Sequence, residues 1–164
     1  MSISSTANLC FDIRNSAYES ETREKIVVDP TSFVDHEEGA REPPHHFAVK
    51  WEGSKKPSVL TVLSAEELKT ALKKKKGKHI NKKYMIRTLT PDESDEFVPI
   101  AAFETRGIVP YAFHPMGGEF IVKSDGGHVF EGDEIDVSDD WCDYDDENDI
   151  ALSISEFTSK FEAV

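Results

Sequence analysis

Apolar and polar residues alternate along much of the chain, with the two-residue period of strands that bury one face. "LCFDI" sets Leu9, Phe11 and Ile13 on one side; "FAVKW" does the same with Phe47, Val49 and Trp51, and "SVLTVL" and "YMIRTL" continue the rhythm. Further on, "EFIVK" and "HVF" flank Asp125-Gly126-Gly127, whose glycines accept the positive φ of a tight hairpin turn. "IALSISEF" then sets Ile150, Leu152 and Ile154 against Ala151, Ser153 and Ser155. The pattern predicts an all-β fold of antiparallel strands.

One segment departs from it. In "SAEELKTALKKKK", Ser64 and Glu67 have the spacing of a capping box, and Leu68 and Leu72 lie one helical turn apart. A single α-helix of about three turns is expected, with its lysines at the negative end of the helix dipole. Residues 29–46, "DPTSFVDHEEGAREPPHH", show no period and carry prolines near both ends, which predicts a long surface loop with His45 and His46 in solvent.

The 164 residues fit a single domain, 1–164, able to bury a core without disulfides or metal. No stretch approaches the roughly 20 apolar residues of a membrane span, and the first residues lack the basic and apolar regions of a secretory signal. A soluble chain in the cytoplasm is expected, without membrane association and as a monomer. Cys10 and Cys142 are the only cysteines, and in such a compartment both should be free thiols.

Charge divides the chain into two poles. Residues 131–149 hold eleven carboxylates and no Lys or Arg, so the rest of the chain accounts for only −2 of the net −13. Residues 69–83 hold eight lysines and no acid. The lysine run is compatible with nuclear import or with phosphate backbones, but it lacks interleaved aromatics and arginines for reading bases. No His lies at a spacing from Ser or Cys that suggests a nucleophile and base, and Cys142, set among carboxylates, is expected to be a poor nucleophile. No enzymatic activity is expected.

Two elements carry a family resemblance. "FVPIAAFETRGIVPYAF" resembles an F-E-C-R-G-x-x-P-x-x-F element through Phe103, Glu104, Arg106, Gly107, Pro110 and Phe113. "WCDYDDENDIALSISEFTSKF" resembles a W-x-D-Y-D element followed by a strand, through Trp141, Asp143, Tyr144, Asp145, Ser153, Glu156 and Phe161. Both are similar to the eukaryotic CXXC-motif-containing zinc-binding proteins. The resemblance implies a β-sandwich-like fold with no recognised enzymatic activity and a zinc held by two CxxC pairs. Trp51 and Ser54 stand where the first pair would be, and "KKKKGKHINKK", near the second, has no cysteine. No bound zinc or other cofactor is therefore expected.

A structural zinc supplies about 10 to 16 kcal/mol in small metallo-domains. Burying Trp51 recovers only about 3 kcal/mol. The helix is expected to pack Leu68 and Leu72 over the vacated region.

The expected function is that of a non-catalytic protein-interaction module with a decayed zinc site. Its rivals are a metal protein using other donors and a nucleic-acid-associated protein using residues 69–83. The acidic stretch after Asp139 lacks the glycine and glutamate of an EF-hand, leaving at most a loose cation site. It is read as a folded loop in which Trp141 and Tyr144 anchor into the core. Asp139, Asp140, Asp145, Asp146 and Glu147 then face water and steer a basic protein partner. Arg106, Gly107 and Pro110 are read as structural, with Glu104 and Arg106 on one strand face and able to pair.

Overall fold

Strands form where the alternation is longest. A computed structural model of the chain describes residues 1–35, 41–77 and 79–164. Its strands are β1 (Ser2–Ile3), β2 (Leu9–Asn15), β3 (Thr22–Val28), β4 (Phe47–Val49), β5 (Ser58–Leu63), β6 (Ala102–Arg106), β7 (Ile108–Phe113), β8 (Phe120–Lys123), β9 (Val129–Glu131), β10 (Trp141–Asp145) and β11 (Ile150–Ile154). Among the described residues one α-helix, α1 (Ala65–Lys76), follows β5. All these strand pairs are antiparallel. The all-β class with one short helix is that which the periodicity predicts.

The strands divide among four small sheets: β3-β2-β7, β4-β5-β6, β1-β8-β9 and the isolated pair β10-β11. Gly107 alone separates β6 from β7, and so carries the chain from one sheet to the next. Its φ is +78°, and a Cβ there would lie 2.1 Å from Ser58 Oγ. Only glycine meets both conditions. Its carbonyl accepts bonds from Trp51 Nε1 at 3.0 Å and from Ser16 N at 3.2 Å. Trp51, buried beneath the Arg23 guanidinium, thereby ties the corner to the first sheet.

Two apolar clusters result. Leu9, Phe11, Ile13, Val28, Trp51, Leu60 and Ile108 fill the first; Phe120, Val122, Phe130, Ile135, Val137 and Trp141 fill the second. Ile3 and Phe113 touch both, which makes the core continuous. Ser64 caps α1 as expected: Glu67 N donates to Ser64 Oγ and Ser64 N to Glu67 Oε2. Leu68 and Leu72 are its buried residues, facing β5 and β6.

Two expectations change, and one strand forms where the pattern marked none. "YMIRTL" forms no strand: residues 82–84 make a 3-10 turn, and beyond it the segment bonds only at isolated residues, Arg87 N to Pro99 O and Leu89 reciprocally with Met1, Leu89 N to Met1 O and Met1 N to Leu89 O. A period-2 pattern needs a neighbouring strand to become a ladder. Conversely, polar "TREKIVV" becomes β3 because β2 offers it an edge. The segment after Asp29 is tied down near His45 and His46, since Val34 N donates to His45 O and His46 N to Leu60 O. Residues 36–40 of the expected loop lie outside the described residues.

Candidate functional site

The acidic stretch is a folded hairpin. Register pairs Trp141 with Ile154, Cys142 with Ser153, Asp143 with Leu152, Tyr144 with Ala151 and Asp145 with Ile150. Trp141 is buried, donates from Nε1 to Glu134 O at 2.6 Å and meets Phe130 edge-on. Just before it, Ile135 and Val137 are buried too, so the acids of 131–140 are carried on packed chain.

Two residues take places opposite to those expected. Asp145 is fully buried instead of facing water, whereas Tyr144 is 42% exposed instead of anchoring the core. The cause is strand parity: Asp145 shares a face with Trp141, and Tyr144 shares the other with Cys142. Asp145 satisfies its oxygens locally. Ser124 Oγ donates to Oδ2 at 2.5 Å, Asn148 Nδ2 to Oδ2 at 2.9 Å, and Asn148 N to Oδ1 at 3.2 Å. The Ser124 bond, then those from Asn148, hold its carboxyl below the usual aspartate range against the opposing effect of burial. The same network clamps the β10–β11 turn to the β8–β9 turn. Asn148 also donates to Gly126 O, and a Cβ on Gly126 would come within 2.2 Å of Asn148 Cγ. Of the two glycines expected to supply positive φ there, only Gly127 does.

The other ten carboxylates of 131–149, Asp139, Asp140, Asp146 and Glu147 among them, are exposed. Asp140 Oδ1 also accepts from Glu156 N, joining both ends of the hairpin. The acidic surface is thus carried by a turn-locked hairpin and by the packed chain that leads into it.

Elsewhere the structure gathers groups that spacing concealed. His114 N bonds to Cys10 O, and His114 Nε2 lies 2.8 Å from Asp12 Oδ1, so Cys10, Asp12 and His114 share one side of the β2–β7 pair. Burial first, then the Asp12 charge, pushes the Cys10 thiol up, which keeps it protonated. Both cysteines are free, Cys10 buried and Cys142 exposed. Arg106 meets Glu42 at 3.4 Å, not Glu104. His45 is buried with Nδ1 2.9 Å from Thr61 Oγ1, and His46 stacks on Phe33 while its Nδ1 accepts from Val62 N. Neither is the solvated histidine expected. Tyr84, beside the lysine run, carries Lys76 and Lys83 over its ring, and Lys78 lies outside the described residues.

A corner locked at Gly107 and an acidic hairpin anchored by a tryptophan define a small, mostly β class of protein. The chain belongs to the family of eukaryotic CXXC motif containing zinc binding proteins, whose profile matches residues 2–162. It is 42% identical over 73 residues to UPF0587 protein CG4646 of Drosophila melanogaster, covering 44% of each chain. It is 31% identical over 77 residues to the CXXC motif containing zinc binding protein of Rattus norvegicus, covering 46% of this chain and 47% of that one. The matches thus span about half the length of these curated relatives. Among solved structures, a hypothetical protein from Plasmodium falciparum superposes with a TM-score of 0.69 at 22% identity, over 93% of this chain and 83% of its own. The crystal structure of C1orf123 gives 0.69 at 17% identity, over 94% and 84%. At such identities these two likenesses concern the fold.

The described residues do not fit a tetrahedral zinc. Trp51 and Ser54 close a tight turn, Ser54 N donating to Trp51 O at 3.1 Å, and the buried indole occupies the interior there. Among the described residues no three His, Cys, Asp or Glu side chains gather as metal ligands would. Among them, too, no helix is long and apolar enough to cross a membrane.

Proposed function

We propose that this chain is a non-catalytic interaction module that captures a basic protein partner through its acidic hairpin, in a family member whose zinc ligands have been replaced. The observation that carries this reading is the clamp of Trp141, Asp145 and Asn148, which holds exposed carboxylates in fixed positions on an ordered element. A preformed charged surface accelerates encounter and orients a partner without the entropy cost of ordering a tail. The protonated Cys10 beside His114 and Asp12 supports a non-catalytic role, because the thiolate that would act as nucleophile is suppressed.

The module works as a cytoplasmic monomer without cofactor. The test uses the full chain with Asp139→Asn, Asp140→Asn, Asp146→Asn and Glu147→Gln combined; Asp145, being buried, is left intact. Association with a basic protein such as lysozyme should be faster at low salt than at high in the parent, and slow with little salt dependence in the variant. Equal rates for both proteins would sink the reading. Elemental analysis of protein purified without chelator should find no stoichiometric zinc, and one tightly held equivalent would overturn the replaced-ligand assignment.

A further inference from the structure

We infer that the outward face of the β10–β11 hairpin, centred on Tyr144, is a docking surface for an extended, arginine-bearing segment of a protein partner. This rests on the acidic-hairpin reading and gives it a place and a side-chain chemistry. Trp141, Leu152 and Ile154 turn inward to the second apolar cluster. Cys142, Tyr144, Ala151 and Ser153 form the opposite face, as two cross-strand pairs, and all four are exposed. The two strands form a sheet of their own, so among the described residues no further strand pairs along either edge. A shallow open depression of about 460 Å³ lies over Cys142, Asp143, Tyr144, Ala151, Leu152 and Ser153.

Charge selects the occupant. Asp139, Asp140, Asp146, Glu147 and Asp149 are exposed at the two ends of the hairpin, and Asp143 is exposed on its other face, opposite Leu152. No Lys or Arg occurs between Lys123 and Lys160, so the chain offers no nearby cation in sequence to answer them. The ring of Tyr144 makes the choice finer. Tyr84, Tyr111, Trp51 and Phe97 each carry a cation of this chain over the ring; among the described residues, Tyr144 carries none. A planar guanidinium can stack on an aromatic ring and fork to a carboxylate at once, which an ammonium does less well. A pleated two-stranded face with open edges suits an extended segment presenting every second side chain to it.

The test is fluorescence anisotropy on the full chain with a labelled, end-capped peptide of alternating arginine and valine, and with its lysine and glutamate counterparts. The arginine peptide should bind about tenfold tighter than the lysine one, the glutamate peptide not at all, and Tyr144→Ala should remove that advantage. Tyr144→Phe should bind as the parent does. Ala151→Lys, placing bulk and positive charge beside the ring, should weaken binding to the same extent; it serves as the second probe if Tyr144→Ala melts early. Equal affinity for the arginine and lysine peptides with no effect of Tyr144→Ala would overturn the docking face. If the charge variant then still loses both peptides, the acidic-hairpin reading survives; if it too binds normally, both fall. Failure of the arginine peptide to bind the parent overturns the docking face, while the lysozyme rates judge the other reading separately.

Discussion

Tyr144 and Asp145 are chain neighbours whose surroundings differ completely, and substitutions should reveal it. Asp145→Ala strips Ser124 and Asn148 of a shared acceptor in the interior, and should destabilise the protein far more than Asp146→Ala. An exposed substitution such as the latter ordinarily stays within about 0.5 kcal/mol. Trp141→Ala removes a buried ring packed on Phe130 and should cost about 3 to 5 kcal/mol. Gly107→Ala meets Ser58 and an unfavourable φ together, and should also lower stability. Urea unfolding of the four variants checks the order, and a mild Asp145→Ala would contradict the clamp.

At the scale of elements, α1 and the segment before β5 each hold a separable contribution. Ser64→Ala breaks the capping box and should cost about 1 kcal/mol. Deleting residues 65–76 should lower the melting temperature well beyond that, since the apolar surface under Leu68 and Leu72 loses its cover; no change would mean that the helix supports nothing beneath it. His46 gives this region a pH dependence. Burial holds its pKa below the usual histidine value, and Nδ1 must stay unprotonated to accept from Val62 N. Its contribution is therefore complete above about pH 6.5 and is lost as pH falls through the lower folded value. In melts below pH 6.5, His46→Asn should show a smaller decline than the parent.

For the whole molecule, acid should act through several carboxylates together. Asp12, Asp29, Glu67, Glu93, Asp136 and Asp145 all have folded pKa values lowered by hydrogen bonds. The stability they confer is present above the ordinary carboxylate range, about pH 4, and is lost as pH falls through their folded values. Unfolding monitored by tryptophan fluorescence should therefore steepen below about pH 4. Crowded acids on the hairpin also repel one another, so moderate salt should raise the melting temperature. A fall with salt would show that attraction outweighs repulsion on this surface.

The sequence by itself determined the features that depend on near neighbours. Alternation placed β2, β4, β5, β8, β9 and β11; a serine and a glutamate three apart placed α1; the motif residues around Arg106-Gly107 and Trp141 marked the family. The tertiary structure decided what depends on distant chain. Whether "TREKIVV" or "YMIRTL" becomes a strand turns on which has an edge to join. Asp145 lies inside because Ser124, 21 residues earlier, waits there to bond it, and Cys10, Asp12 and His114 meet because β2 and β7 pair. Hydrophobic period is a property of a segment, whereas burial of a polar group requires a partner, and the partner's position exists only once the sheets have packed.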